Sequence, residues 1–511
     1  MKKILYFCLA LALFTHSYAQ QVTITPDGIT PKNTYPRISY TAILALPNPQ
    51  EGDLAFDTTY KCLRIYIEGK WLCSYQDPNA YVSSIAPIIS AGGTGADMGQ
   101  DIAVDNSGNI YITGTFTGTT QFGAISKTSE GSSDIFIAKY NSSAILQWVK
   151  SAGGENGEAA TSIAVDASGN VYVTGSHGGE ATFESVTLST YGGTDIFVVK
   201  YNTSGVFQWV KAAGGEQNDV GLGIAVDNSG LVYLTGSYID YAHFGASITI
   251  NAQGELDESD IFIAKMDNTG TFQWVQTAGG ENKDQGKGIV ADNTGIYLTG
   301  DFEGTATFGA INKTATGLSD MFVAKYNTSG DCQWVKSGGG TADDHGNGLA
   351  IDASGNVYIT GQFYGTATFE ATNIGTSIAN TYEIFLVKYN NSGALQWAQA
   401  AGGTAFDNGS GVAVFGNNVY LTGFFTNSAT FGTNTVSGYG DFDIFVAKYS
   451  NGGVCQWVQA AGGTGQDYGN NITVDSTGRA FAIGYYLGTA TFGPTTKTSQ
   501  GLTDVFVSRV D

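Results

Sequence analysis

Short apolar runs alternate with turn-forming residues along most of the chain. In one stretch the runs cover residues 163–166, 171–175, 195–201 and 207–211, with Ala-Ser-Gly-Asn between the first two and Asn-Thr-Ser-Gly between the last two. Valine, isoleucine, tyrosine and phenylalanine dominate these runs, which are too short for typical helices. The pattern therefore predicts four short β-strands, named a to d in chain order.

The same four runs recur along the chain, and each recurrence begins with a Gly-Gly pair. Successive pairs are 60 to 65 residues apart. A four-stranded unit cannot bury both of its faces alone, so stacking of neighbouring units around an axis is expected. The sequence thus predicts an all-β propeller built of four-stranded blades. The first glycines of the pairs are Gly92, Gly153, Gly214, Gly279, Gly339, Gly402 and Gly462.

The two ends of the repeated region predict how the propeller closes. Runs a, b and c each occur seven times, whereas run d with its Gln-Trp sequence occurs six times. Residues 85–90 precede the first Gly-Gly pair at the spacing of a seventh run d. We therefore expect seven blades with one-plus-three closure, in which this N-terminal strand completes the last blade and covers its open edge.

The repeat resembles a known family. The segments IAVDASGNVYVTG at 163–175 and TDIFVVKYNTSGVFQWVKAAGG at 194–215 are similar to the SBBP-type beta-propeller repeat of exported bacterial proteins. The resemblance covers residues 85–511. It implies a propeller and an envelope or extracellular setting, but no established activity, cofactor or catalytic residue.

Residues before the repeats divide into two further segments. Residues 1–19 have a basic start, an apolar stretch and a Ser-Tyr-Ala cleavage pattern, which predicts a signal peptide and export to the periplasm, the cell surface or the medium. Residues 20–84 predict a small β-hairpin or meander. Its segment GDLAFDTTYKCLRIYIEGKWLC is similar to short segments of Bacteroidetes surface proteins. Cys62 and Cys73 flank a strand-turn-strand pattern and are predicted to form a disulfide, the alternative being two buried thiols.

Composition narrows the classes of partner. The formal net charge is −22, and charged residues make up only 13% of the chain. These values argue against nucleic acid and anionic membranes and leave cations, glycans and proteins. No later stretch is apolar enough to span a membrane. No metal-binding or nucleophile motif occurs, so no catalytic residue, no metal ligand and no cofactor are assigned, and we expect a monomer.

Three acidic positions and one basic position recur in the repeats. The second set of acids ends strand a (Asp105, Asp166, Asp227, Asp292, Asp352 and Asp475), and the third opens strand c (Asp134, Asp195, Asp260, Asp320, Glu383, Asp443 and Asp504). Both are interpreted as acceptors for turn amides. The basic residues that close strand c are interpreted as solvated strand ends (Lys139, Lys200, Lys265, Lys325, Lys388, Lys448 and Arg509).

The first set of acids lies in the connection from strand d to the next strand a, which ends at one mouth of the central channel. Its members are Asp97, Glu158, Asp219, Asp284, Asp344, Asp407 and Asp467. These acids either stabilise rigid turns or form a ring that attracts cations, a divalent cation being the one cofactor that the ring would admit.

Length differences between repeats concentrate in the connection from strand b to strand c, on the same face as the first acids. The third repeat has the longest connection, and this insertion carries Asp240, Tyr241, Asp257 and Glu258. We therefore expect a non-enzymatic exported propeller that binds a protein or glycan partner on this face. The alternatives are a glycan-active enzyme, a lyase or hydrolase, at the channel mouth, and an architectural surface spacer.

Overall fold

The computed structural model describes residues 85–254, 258–375 and 381–510, with short segments between residues 24 and 76. The chain divides into two compact units, Met1–Ser83 and Ser84–Asp511. The predicted signal peptide and Asp257 lie outside the described residues. Within the described part, no helix is long and apolar enough to cross a membrane.

The first unit contains short β-strands. Leu54–Asp57, Cys62–Ile67 and Lys70–Gln76 pair in antiparallel order, and Arg37–Ile38 runs parallel to the first of them. Cys73 lies opposite Arg64 in this register, and Cys62 lies opposite Gln76. The cysteine side chains are outside the described residues, so their disulfide remains a prediction. The other strands of this unit are Ile24–Thr25 and Gly28–Ile29.

The second unit is all-β in its described residues, as the alternation of apolar runs and turns predicts. Within each repeat, strands a, b, c and d pair antiparallel in that order. The a strands are Asp97–Val104, Ala159–Val165, Val220–Val226, Asp284–Asp292, His345–Ile351, Asn408–Phe415 and Tyr468–Val474. The d strands are Leu146–Ala152, Phe207–Gly214, Phe272–Gly279, Cys332–Gly339, Leu395–Gly403 and Cys455–Gly463, together with Ala86–Gly93 near the start of the unit.

Strands b and c are longer than their apolar runs, because most of each connection between them is itself a hairpin of paired strands. The b strands are Ile110–Phe116 with Thr119–Phe122, Val171–Phe183, Val232–Ile239 with Tyr241–Phe244, Gly295–Phe308, Val357–Tyr364 with Thr366–Phe369, Asn418–Phe431 and Ala480–Phe492. The c strands are Ile125–Thr128 with Asp134–Tyr140, Val186–Tyr201, Ile248–Asn251 with Ser259–Met266, Ile311–Tyr326, Thr372–Gly375 with Tyr382–Tyr389, Asn434–Ser450 and Thr495–Val510.

The Gly-Gly pair is the place where consecutive repeats join. The end of strand d pairs with the far half of strand b of the next repeat, as Gly403 pairs with Ala429. A Cβ atom at Gly403 would lie 1.7 Å from the carbonyl oxygen of Ser428. Glycine at this position therefore allows two backbones to approach closely enough to pair.

The core lies between consecutive repeats. Seven clusters of buried apolar side chains each combine residues of two neighbouring repeats. One of them joins Val505 and Val507 of the last repeat to Ile89 and to residues of the first repeat. Strand Ala86–Gly93 pairs antiparallel with Thr495–Val510, with Ile89 opposite Val507.

The basic residues that close strand c form a second connection between repeats. Lys139, Lys200 and Lys388 are buried, so their interpretation as solvated strand ends is wrong. The Nζ atom of Lys200 lies 4.8 Å from the centroid of the Tyr172 ring and donates to the carbonyl of Asn268 in the next repeat. The indole Nε1 of Trp209 donates to the same carbonyl, so both side chains hold the following turn.

Candidate functional site

The first acids are buried beside the Gly-Gly pairs. Each of the seven is at most 1% exposed. In six repeats one carboxylate oxygen accepts the backbone N–H of the second glycine, at 2.5–2.9 Å. In five repeats the other oxygen accepts a backbone N–H of strand b, as Asp219 does from Ile239 at 3.0 Å. These contacts are those expected of turn-stabilising acids, and cation binding by the ring remains a prediction.

Each acid of the first set also faces an acid of the third set, the set that opens strand c. The two lie on either side of the first glycine of the Gly-Gly pair. A Cβ atom at Gly214 would lie 2.4 Å from Oδ1 of Asp195 and 2.9 Å from Oδ2 of Asp219. The two acids belong to consecutive repeats, so the pairs lie at the interfaces between repeats. The pairs seen at a first glycine are Glu158 with Asp134, Asp219 with Asp195, Asp284 with Asp260, Asp344 with Asp320, Asp407 with Glu383, and Asp467 with Asp443. At Gly92 the near acid is Asp504, which interacts electrostatically with Asp97 and completes the seventh pair.

Burial raises the pKa of the paired aspartates and of Glu158, and the facing carboxylate raises the pKa of the acids of the first set further. The pKa of Asp284 rises to about 8 and that of Asp219 to about 7, even though backbone amides oppose the shift. Burial raises the pKa of Asp195 to about 6. The turn acid Asp352 shows the opposite shift, because its hydrogen bonds together outweigh its burial and lower its pKa below the ordinary value.

The insertion of the third repeat lies in the connection from its strand b to its strand c. Asp240 has a left-handed backbone with φ of 62° and joins the two halves of strand b. Tyr241 is half-buried, and its ring lies 5.3 Å from that of His243. Glu258 is exposed and raises the pKa of Glu303 in the fourth repeat, where burial is the larger cause. Asp240, Tyr241 and Glu258 thus extend this face, but ligand binding by them remains a prediction.

A cavity of about 740 Å³ lies between the seven a strands. Every a strand has a β-bulge two or three residues after its first residue, as between Gly286 and Gly288. The bulged residue lines the cavity and differs among repeats, unlike the acids. These residues are Gln100, Thr161, Leu222, Lys287, Asn347, Ser410 and Asn470.

Three charged or titratable side chains of the fourth and fifth repeats meet at this cavity. The Nδ1 atom of His345 lies 3.2 Å from Oδ1 of Asp301, and the ammonium group of Lys287 forms an ion pair with the same oxygen. Burial alone would raise the pKa of Asp301, but Lys287 and His345 hold it below its ordinary value. Asp301 therefore stays ionised and orients both neighbours.

Aromatic side chains occupy the corresponding positions in the later repeats. Phe424 and Tyr468 lie 4.7 Å apart, and Tyr468 and Tyr485 lie 4.9 Å apart, between ring centroids. Phe406 and Phe442 contact Phe424. Phe424 is buried, and the other four of these aromatic residues are half-buried. The cluster continues through Tyr382 to Tyr364. We call these seven residues the aromatic sector.

The residues beside the constant acids thus fall into three groups along the chain. In the first three repeats these positions hold mainly small residues, including Gly157, Ala159 and Ser176. The fourth and fifth repeats supply Lys287, Asp301 and His345, which we call the charged sector, and later repeats supply most of the aromatic sector. Sequence reasoning missed both sectors because it searched for repeated residues. A comparison of the repeats at these variable positions would have found them.

Comparison with known proteins agrees with the repeat architecture. Residues 91–115 match the family model described as SBBP, beta-propeller repeat. This segment of the first repeat therefore matches a beta-propeller repeat. The chain is 26% identical over 447 residues to an uncharacterised WD repeat-containing protein of Acanthamoeba polyphaga mimivirus, covering 70% of this chain and 32% of that protein. It is 23% identical over 318 residues to the regulatory protein FlaEY of Caulobacter vibrioides, covering 57% of this chain and 33% of that protein. The propeller chain spans about a third of the length of these curated relatives.

Solved structures similar to the propeller include carbohydrate-processing enzymes. An ulvan lyase, a polysaccharide lyase, aligns with a TM-score of 0.39 and 13% identity over 79% of this chain and 92% of the lyase. The intramolecular trans-sialidase of Ruminococcus gnavus aligns with a TM-score of 0.31 and 10% identity over 84% of this chain and 97% of the sialidase. In the described residues of the propeller, no group of three or more His, Cys, Asp or Glu is arranged to hold a metal ion.

Proposed function

We propose that the repeats form a seven-bladed ring with one-plus-three closure and that its mouth binds a glycan. Pairing of Ala86–Gly93 with Thr495–Val510 supports the closure. Contact between the first and seventh a strands supports the ring, as do the hydrogen bonds from Asn470 to Gly99 and Gln100. Export, predicted from the first 19 residues, would bring such a mouth into contact with extracellular polysaccharides.

The single observation that carries glycan binding is the aromatic sector beside a polar cavity. Half-buried rings such as Tyr468 and Tyr485 offer flat apolar surfaces on which the C–H faces of sugar rings can pack. Gln362, opposite His345, lies at the cavity below and can hydrogen-bond sugar hydroxyls, whereas Asn408, opposite Phe424, is buried and forms hydrogen bonds with Asn347 and Ser410. The combination of flat apolar surface and uncharged donors suits a saccharide better than a nucleic acid or a lipid.

Affinity electrophoresis tests this function. The full chain should be slowed in gels that contain one of a set of soluble polysaccharides, comprising a β-glucan, a mannan, a xylan and a uronic-acid polymer. Substitution Tyr468→Ala or Tyr485→Ala should weaken the interaction by roughly tenfold, the equivalent of about 1.4 kcal/mol. Loss of the apolar stacking surface is the physical reason.

Tyr191→Ala is the matched control, because Tyr191 is 61% exposed but lies outside the aromatic sector. This variant should bind as the wild-type chain does. Glycan binding is contradicted if no polysaccharide slows the wild-type chain, or if the Tyr191 variant loses as much affinity as the Tyr468 variant at equal thermal stability.

The contact between His345 and Asp301 favours a second candidate function, acid–base chemistry on the bound glycan. A carboxylate that orients a histidine at the edge of a cavity is a recurring arrangement for proton transfer. The same polysaccharides should then show new chain ends after incubation with the wild-type chain but not with His345→Ala. Binding without new chain ends would leave the mouth as a binding site only.

A further inference from the structure

We propose that the seven carboxyl pairs at the interfaces between repeats are proton-binding sites, in which one proton shared by two carboxyl groups joins each repeat to the next. The proposal is independent of glycan binding. It concerns the predicted ring of acids, but it assigns that ring a proton as ligand rather than a metal cation. The pair of Asp97 and Asp504 joins the first and seventh repeats in the same way.

Buried oxygen atoms without a hydrogen-bond partner are the first evidence. Oδ1 of Asp195, Oδ1 of Asp443 and Oδ2 of Asp97 are buried and accept no hydrogen bond within the protein. All three residues are 0% exposed. A buried ionised oxygen without a donor is costly, so the interfaces that carry such an oxygen require a partner for it.

The facing carboxyl group provides that partner once a proton is added. Oδ1 of Asp195 and Oδ2 of Asp219 approach the same point above Gly214. If a solvent proton binds to Oδ1 of Asp195, the new O–H group donates to Oδ2 of Asp219, and the pair carries one negative charge instead of two. The other Asp195 oxygen still accepts the N–H of Tyr191 at 2.9 Å.

For the six pairs other than Asp407 with Glu383, no lysine or arginine is among the groups that shift the pKa values of the paired acids; Lys283 acts on Glu303 instead. His177 lies directly opposite Asp195, but burial lowers its pKa to about 4, so it is neutral above that pH. The other titratable groups that face the pairs are acids or tyrosines: Glu130, Glu303, Asp343, Tyr238, Tyr241, Tyr382 and Tyr486. Lysine and arginine are absent from this set.

Shared protons make the stability of the propeller depend on pH. The folded chain holds protons that the unfolded chain has already released between about pH 4 and the raised pKa values, which lie from about 6 to about 8 for most of the paired acids. The stabilisation is therefore complete below about pH 4 and is lost as the pH rises from there to about 8. Turn acids such as Asp352 act in the opposite sense, but only below this range.

The first test uses the full wild-type chain. Its melting temperature should fall by on the order of 10 °C between pH 5 and pH 8.5, at constant ionic strength and without divalent ions. Infrared spectra of the folded chain at pH 6 should show the carbonyl stretching band of protonated carboxylic acids, and this band should shift in D₂O. A constant melting temperature together with no such band would overturn the proposal.

The second test replaces one shared proton with an amide. In Asp195→Asn the amide nitrogen can donate to Asp219 at every pH, so this variant should melt closer to its pH 5 value at pH 8.5 than the wild type does. The matched control is Asp166→Asn in the same repeat, where the acid accepts turn amides instead of facing a carboxyl group. This control should keep the wild-type pH dependence.

Two results of the second test contradict shared protons. One is an Asp195→Asn variant that is destabilised equally at both pH values, which would mean that the carboxylate is needed in its ionised form. The other is a rise of the wild-type melting temperature with calcium at pH 6 that Asp195→Asn reduces, which would mean that the pairs bind metal cations. Neither result bears on glycan binding at the mouth.

Discussion

The interfaces between repeats and the side chains around the cavity follow opposite rules, although they lie a few residues apart in sequence. At every interface the same glycine pair, carboxyl pair and strand pairing recur, with acids that are at most 3% exposed. The position next to the acids of the first set, in contrast, changes from Ala159 in the second repeat to His345 in the fifth and Tyr468 in the seventh. The fold is therefore repeated, whereas the surface offered to a ligand is not.

This difference separates structural residues from candidate functional ones without any knowledge of a ligand. Each interface has the same geometric task, so one solution can serve all repeats. A single ligand on the axis meets each repeat in a different place, so a binding or reacting site needs different residues from different repeats. Repeated acids are on this argument structural, and the charged and aromatic sectors are the candidates for function.

The largest effect is expected where the interface has no free space. Gly403→Ala would place a Cβ atom 1.7 Å from a backbone oxygen of the next repeat, so the strands would have to separate. We expect the free energy of unfolding to fall by about 3 kcal/mol or more, measured by urea denaturation. Glycan affinity, measured for the fraction that remains folded, should not change.

Gly452→Ala is the control for this substitution. Its Cβ atom would have no neighbour nearer than 3.8 Å, and the glycine has no left-handed backbone conformation. The expected change is within about 0.5 kcal/mol. If both variants lose the same stability, the close approach at the Gly-Gly pair is not what constrains the interface.

A medium effect is expected at the lysine that connects the fifth repeat to the sixth. The Nζ atom of Lys388 lies 5.0 Å from the Tyr358 ring centroid and donates to Asn451. Lys388→Met keeps the apolar stem but removes both contacts, so stability should fall by about 1–2 kcal/mol. Lys150→Met, which removes a more exposed ion pair with Glu184, should cost less than about 1 kcal/mol. Equal losses of stability in the two variants would show that burial of Lys388 contributes nothing to the free energy of unfolding.

The sequence predicted the repeated part of the molecule well and the variable part poorly. Strand pattern, turn residues and glycine spacing predicted an all-β propeller, and the family match at residues 91–115 confirms the repeat type. The apolar pattern predicted no strands in the connections from b to c, whose alternating threonines and small residues lack the apolar runs of the other strands. They pair as hairpins instead, as Thr182 does with Thr187.

The candidate site was missed for a different reason. Asp301 and His345 are far apart in sequence and carry no motif, and they meet because strand b of one repeat lies beside strand a of the next. A residue that differs from its equivalents in other repeats also looks like neutral variation. Its neighbours from other repeats become visible only when the strands are placed side by side. Pairing between strands therefore had to be known before the charged and aromatic sectors could be recognised.

The smallest effect on stability is expected at the bulges that line the cavity. Leu222 occupies the position held by Asn347 and Asn470 in other repeats, and its side chain is half-buried against the cavity rather than between repeats. Leu222→Asn should change the free energy of unfolding by no more than about 0.5 kcal/mol in urea denaturation, because no interface contact is lost and the new amide faces the open cavity. A loss comparable to that of Lys388→Met would show that the bulge positions carry part of the fold, and variation among repeats would then no longer identify the residues available for binding.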